Sequence, residues 1–256
     1  MGHFYAKDGT PHFDLAPAKA KELGLYFSVT EIQKCEANPG LDRWKLNTAI
    51  DTSVKNPMTA HEKIEDYRRR IINAMYADNS ATQLGTDIHD AIEHILDGSR
   101  TIDHVSQDLL PYVKPAIEYF QEKEFEVVAL EKIVVNVDEG YAGTADCIAK
   151  SGDLDFILDW KSTKTIPSKP YDSHPEQVSA YAVAYFGEDR VMNGEIWGAN
   201  AYISTSAKDK KTGLAKFRVH SYEPSVLAEA YKRFKIVNNL WRMRNKYDPR
   251  KFPGNN

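Results

Sequence analysis

Near residue 124 the apolar pattern changes period, and any fold of this chain must accommodate that switch. Before it, the segments 59 to 77 (TAHEKIEDYRRRIINAMYA), 84 to 97 and 106 to 123 repeat apolar residues at helical spacing with charges between them. After it, FEVVALEKIVV (125 to 135) is rich in β-branched residues, and GYAGTADCIAK and DLDFILDWKST follow across glycine-containing turns. A helical N-terminal half therefore feeds three consecutive strands, read as a meander. Ser173 and Glu176 stand in capping-box spacing before EQVSAYAVAYFG, which predicts one helix before two further strands, about 195 to 204 and 214 to 222. A last helix, about 223 to 246, closes the pattern. The first 27 residues read as irregular. Ser28 with Glu31, and Asn38 with Pro39, then predict two short helices. The class is α/β.

Composition excludes more than it assigns. The 33 Lys and Arg against 37 Asp and Glu leave a net charge of −4, so no overall basic field announces a nucleic-acid or membrane partner. Any such surface is local. Two cysteines, Cys35 and Cys147, are too few for an iron–sulfur cluster or an all-cysteine zinc site. The opening residues carry charges where a signal peptide needs its apolar stretch, and Ala6 stands where a myristoylation motif wants Ser or Thr. No uncharged apolar run approaches the ~20 residues of a bilayer-spanning helix. The expectation is a cytoplasmic protein without a membrane partner.

Three places look chemical. In FILDWKS, Asp159 and Lys161 project from one face of an otherwise apolar strand. A buried charge alone is unfavourable by several kcal/mol, so the plain reading is a satisfied salt bridge or a wet edge strand. The preceding strand holds Asp146 beside the small residues Gly143, Thr144 and Ala145, and a meander brings Asp146 and Asp159 together. Two close carboxylates raise each other's pKa unless a cation separates them, and an all-oxygen site of this kind suits Mg²⁺ or Mn²⁺. In GTDIHDAIEHIL, Ile88, Ala91, Ile92, Ile95 and Leu96 form a core stripe bordered by His89 and Glu93 at i, i+4. The pair either flanks the core at the surface or reaches a site beside the sheet. Asp87, Asp90 and His94 face solvent. Gln177, Tyr181 and Tyr185 share a helix face, where they either donate to phosphate oxygens or pack.

In order along the chain, G-x-x-x-H-x-x-x-E from Gly85, G-T-x-D ending at Asp146, D-W-K at 159 to 161 and Q-x-x-x-Y at Gln177 and Tyr181 resemble the PD-(D/E)xK nuclease superfamily, in its RecB-like exonuclease branch. The likeness covers about a hundred residues. Upstream, FSVTEIQK and LDRWKLNTAI are similar to elements of the mitochondrial genome maintenance exonuclease and its phage relatives. The resemblance implies a single nuclease domain over 1–256 with a restriction-endonuclease-like mixed central sheet flanked by helices. Within it lie a helical N-terminal decoration (1–80), a catalytic core (81–222) and a C-terminal basic helix (223–256). It implies that His89, Asp146, Asp159 and the Trp160 carbonyl ligate one or two Mg²⁺ or Mn²⁺ ions, and that Lys161 orients the attacking water and stabilises charge on phosphorus. Glu93 would be a further ligand or a support, and Gln177 and Tyr181 would hold the substrate backbone or brace the site. The cluster-bearing subtype is excluded by the cysteine count.

The substrate reading follows from local charge. Residues 232 to 251 hold eight Lys or Arg against one Asp, among them Arg242, Arg244 and Lys246. Arg68 to Arg70 form a second run, and Lys208, Lys210, Lys211, Lys216 and Arg218 a third. Each is either a solvated face or part of a polyanion surface. The resemblance implies a DNA exonuclease acting at single-stranded or frayed ends in phage-type replication, recombination or genome processing, with a recombination or replication protein as partner and the helical half arching over the cleft. The alternatives are a structure-specific or nicking endonuclease on the same site, and a DNA-binding module with a vestigial metal site.

Overall fold

The computed structural model describes residues 2–37, 39–77 and 80–254; the expected N-cap Asn38 lies outside them. The centre is a mixed five-stranded sheet of β4 (Glu126–Asn136), β5 (Tyr141–Ser151), β6 (Leu154–Thr163), β7 (Ile196–Lys208) and β8 (Ala215–Tyr222), in that spatial order. Neighbours pair antiparallel except β6 and β7, which run parallel. A parallel pair needs a crossover, supplied by helix α7 (Ser173–Phe186) and the short α8 (Glu188–Met192). The expected meander of three strands is present, and an α/β chain with helices on both faces of the sheet results.

One sheet face packs on α7 and on α9 (Pro224–Asn245), burying Ile148, Ile157, Val178, Phe234 and Trp241. The opposite face packs on α5 (Ser80–Leu96) and α6 (Leu110–Glu122) through Ile88, Ile92, Val113, Phe120, Leu158 and Trp160. Along β6 the alternation is therefore complete: Leu158 and Trp160 go to one layer, Ile157 to the other. Among the described residues, no helix is long and apolar enough to cross a membrane.

Three local expectations need correction. The first 27 residues are ordered: β1 (Phe4–Tyr5), β2 (Pro11–His12) and β3 (Tyr26–Phe27) form a small sheet around α1 (Pro17–Glu22). Two-residue strands are too short to show alternation, but Phe4 and Phe27 are core residues. Ser28 caps α2 (Val29–Gln33), accepting from the Glu31 amide at 3.2 Å. The second predicted capping box does not form. Ser173 lies inside α7, and Glu176 is buried and paired with Arg233 at 3.3 Å, so it cannot reach back to the helix start. Finally, α3 (Pro39–Lys55) is 17 residues long, not short, and buries none of them. It is followed by α4 (Ile64–Met75), which buries Ile71 alone.

Candidate active site

Strands β5 and β6 pair as far as Cys147 opposite Leu158 and then part, although both continue. At the fork a side chain takes over the ladder: Asp146 Oδ2 accepts the Trp160 amide at 2.8 Å. Strand β6 stays paired to β7 through the split, with Asp159 opposite Asn200 and Lys161 opposite Tyr202. The strand-face prediction holds. Asp159 Oδ2 lies 2.7 Å from Lys161 Nζ and accepts from Asn200 Nδ2 at 2.8 Å, with Asp159 only 2% exposed. Asn200 is in turn fixed by the Tyr222 hydroxyl, 2.6 Å from its Oδ1.

Helix α7 braces the amine. Lys161 Nζ donates to Gln177 Oε1 at 2.9 Å, and Gln177 Nε2 donates to the Tyr181 hydroxyl at 3.0 Å. The i, i+4 spacing of Gln177 and Tyr181 places both over the fork. Gly143 is required there, because a Cβ would stand 2.5 Å from Tyr181 Cε1. Thr144, next along β5, bonds Tyr5 of the small sheet at 3.0 Å. The N-terminal segment is thus tied to the strand that carries Asp146.

Burial, then Asp159 and Glu131, push the Asp146 carboxyl well above the usual range, against Lys161 and the Trp160 amide. His89 on α5 is pulled down, chiefly by burial and also by Lys161, with Asp159 opposing. A neutral imidazole is the form that binds metals. Its helix lies close to β6, since a Cβ on Gly85 would touch the Ser162 Cβ at 3.4 Å. Glu93, one turn further on, raises the pKa of Glu131, so the α5 edge and β4 face the same space.

Glu131 was not legible as a site residue. It stands across from Asp146 in the β4–β5 register, its own pairing skipped, with φ at +41°. A non-glycine residue in the left-handed region of a strand is strained. The residue as a whole is exposed, yet partial burial of its carboxyl, then Glu93, Asp90 and Asp159, push its pKa up to about 7. Asp90 is exposed as expected, yet its charge reaches this cluster. His174, at the start of α7, was also missed. Its Nδ1 is 2.5 Å from the Tyr202 hydroxyl, and burial followed by Lys161 pulls it down to about 4. The sequence signal for both is spacing across strands and helices, which a linear reading does not carry.

Not every expected residue comes to the fork. Trp160 contributes its amide there, while its ring packs toward Phe120 at 5.9 Å. The basic C-terminal face is a partial correction. Arg242 is buried, donates to the Glu139 carbonyl at 2.5 Å and lies 3.7 Å from its carboxylate, so it serves the β4–β5 turn rather than a surface. Arg244 is exposed and donates to the Cys35 carbonyl at 2.7 Å; Lys246 is exposed at the left-handed end of α9.

Among the described residues, no three His, Cys, Asp or Glu side chains are already gathered as a cation cage. The donor chemistry nonetheless fits a small hard divalent cation. A neutral imidazole and carboxylates held above their usual pKa by burial and mutual repulsion are relieved by a positive ion placed among them.

Neither a family model nor a curated protein matches the chain. Among solved structures, one titled "Crystal structure of SSO0001" is similar over 75% of this chain and 86% of that one, at 12% identity and a TM-score of 0.31. At that distance the similarity carries no argument about fold or activity.

Proposed function

We propose that this chain is a divalent-metal-dependent deoxyribonuclease of the PD-(D/E)xK kind, hydrolysing phosphodiester bonds from DNA ends. The observation that carries the reading is the fork itself, where Asp146, Asp159 and Lys161 converge on the split between two strands beside a neutral His89. The mixed sheet with its α7 crossover between β6 and β7 fits a restriction-endonuclease-like architecture.

Asp146, Asp159 and His89, with Glu131 and Glu93 at the margin, would hold Mg²⁺ or Mn²⁺. When bound, the ion supplies an acidified water and neutralises charge on the phosphate. The chain's own groups do the rest. Lys161 is held by Asp159 and Gln177, so its ammonium points at a fixed place where it orients the water and stabilises the charge that develops on phosphorus. Tyr181 and Gln177 prevent that amine from swinging away. Asn200 and Tyr222 fix the Asp159 carboxylate from behind.

Digestion of end-labelled linear single-stranded DNA beside a closed circular strand, with Mg²⁺, Mn²⁺ or EDTA, tests the reading. Metal-dependent cutting of the linear strand alone is expected. Cutting of both makes it an endonuclease, and cutting of neither removes the proposal.

A further inference from the structure

The third basic run of the sequence has no role in the chemistry above, yet Lys216 and Arg218 from it border a cavity. This space, about 550 Å³, opens where β6 ends and the β7–β8 hairpin begins. Lys164, Lys216 and Arg218 line it, with Ile166, Leu214 and Phe217 as an apolar side. Its one acid is Asp209. Its Oδ1 closes the hairpin turn, accepting from the Lys211 and Thr212 amides at 2.9 Å and from the Thr212 hydroxyl at 3.1 Å. Those bonds, with a smaller contribution from the charge of Lys216, hold its pKa below the usual range.

The cations are left available. Arg218 makes one long bond, 3.5 Å, to the Pro167 carbonyl, and among the described residues none of the three stands in a salt bridge. The backbone at Lys164 is held: its carbonyl accepts from both Ser204 Oγ at 3.1 Å and Ser206 Oγ at 2.6 Å. Three cations lining one cavity with apolar side chains suit the two halves of a nucleotide, an anionic phosphate and an apolar base. Lys164 is the residue after the end of β6 and lies three positions beyond Lys161, ~10 Å at strand rise. That is about three steps of a stacked strand at ~3.4 Å per nucleotide.

We infer that this cavity seats one nucleotide of a single DNA strand whose scissile phosphodiester lies at Asp146, Asp159 and Lys161. The inference rests on the nuclease reading for the second site and supplies the strand's path away from it.

The test is binding of a fluorescein-labelled 12-nucleotide single strand in EDTA, measured by anisotropy from low to moderate salt. The wild type is compared with the triple variant Lys164→Ala, Lys216→Ala, Arg218→Ala and with Lys216→Ala alone. At ~0.7 of a slope unit per phosphate contact on single strands, the triple variant should lose about 2 from its log K against log salt slope and bind at least ~10-fold more weakly. Lys216→Ala, an exposed change on an edge strand, should lose about 0.7 and guards against misfolding of the triple variant. Unchanged slopes in both variants, or no binding by the wild type, overturn the inference. Inorganic phosphate displacing the oligonucleotide as well as an unlabelled trinucleotide overturns the strand assignment in favour of a lone-phosphate site. Cleavage with Mg²⁺ is read separately: wild-type cutting with unchanged variant binding removes only the cavity, and cavity-dependent binding without any cutting removes only the nuclease.

Discussion

The fork between β5 and β6 and the hairpin of α3 and α4 invert the usual rule in opposite directions. At the fork, Asp159, Gln177 and Asn200 are buried polar groups, each joined to a bonded network. On the hairpin, Trp44, Leu46, Ile50 and Val54 are exposed, up to 75% for Val54, and α3 buries nothing. Burying polar groups is tolerated only when their partners are built in, which makes the fork rigid and dependent on many elements. Leaving apolar groups in water needs no partner, and the hairpin keeps contacts of its own, such as the Tyr67 hydroxyl on the Ser53 carbonyl at 3.3 Å. The same sequence thus spends specificity in one place and leaves it unspent in the other.

That contrast breaks most sharply at Lys161. Lys161→Ala should lower kcat at least ~10²- to 10³-fold in the end-labelled digestion assay, the scale for removing one fixed charge-stabilising donor. Near-normal activity would mean the fork is a buried salt bridge and nothing more. Ile92→Ala, in the layer beneath α5, should destabilise by about 2–5 kcal/mol, seen as a fall in the urea midpoint at unchanged slope. A small loss there would show that this layer is as loosely held as the hairpin.

Glu131 sharpens the comparison through pH. Its folded pKa, about 7, lies above the ordinary 4.5, so the folded state holds the proton more tightly. Its contribution is full below pH 4.5 and is lost as pH rises through about 7. In EDTA, Glu131→Gln should flatten the decline in stability over that window by about 1 kcal/mol, after allowing for solvent screening of an exposed residue. Melts at stepped pH read this directly, and an identical slope in both proteins would place Glu131 outside the cluster. The smallest effect belongs to the hairpin. Val54→Ser should change stability by less than about 0.5 kcal/mol in the same melts, and a larger loss would mean the exposed face is covered in solution.

Much of the site was legible because its chemistry sits in short strings. Asp159 and Lys161 share a face by strand period alone, and Gln177 and Tyr181 by helix period. Glu131 and His174 were not legible, since what makes them unusual is a register across β4 and β5 and a packing contact with β7. Arg242 misled for the same reason: a basic string looks like a surface until Glu139 is seen beside it. The small N-terminal sheet was hidden by its own brevity, its strands being two residues each.

The bond between Tyr5 and Thr144 spans 139 positions of chain. On a ribosome adding ~5–20 residues per second, the hydroxyl of Tyr5 waits on the order of ten seconds before its partner has been synthesised. The small sheet cannot dock on β5 until then, so Phe4 and Phe27 wait for their partners in the main core while the helices between are made. Closing so long a loop comes late in assembly. The strand that carries Asp146 thus gains its bond to Tyr5 only after the whole helical half has been made.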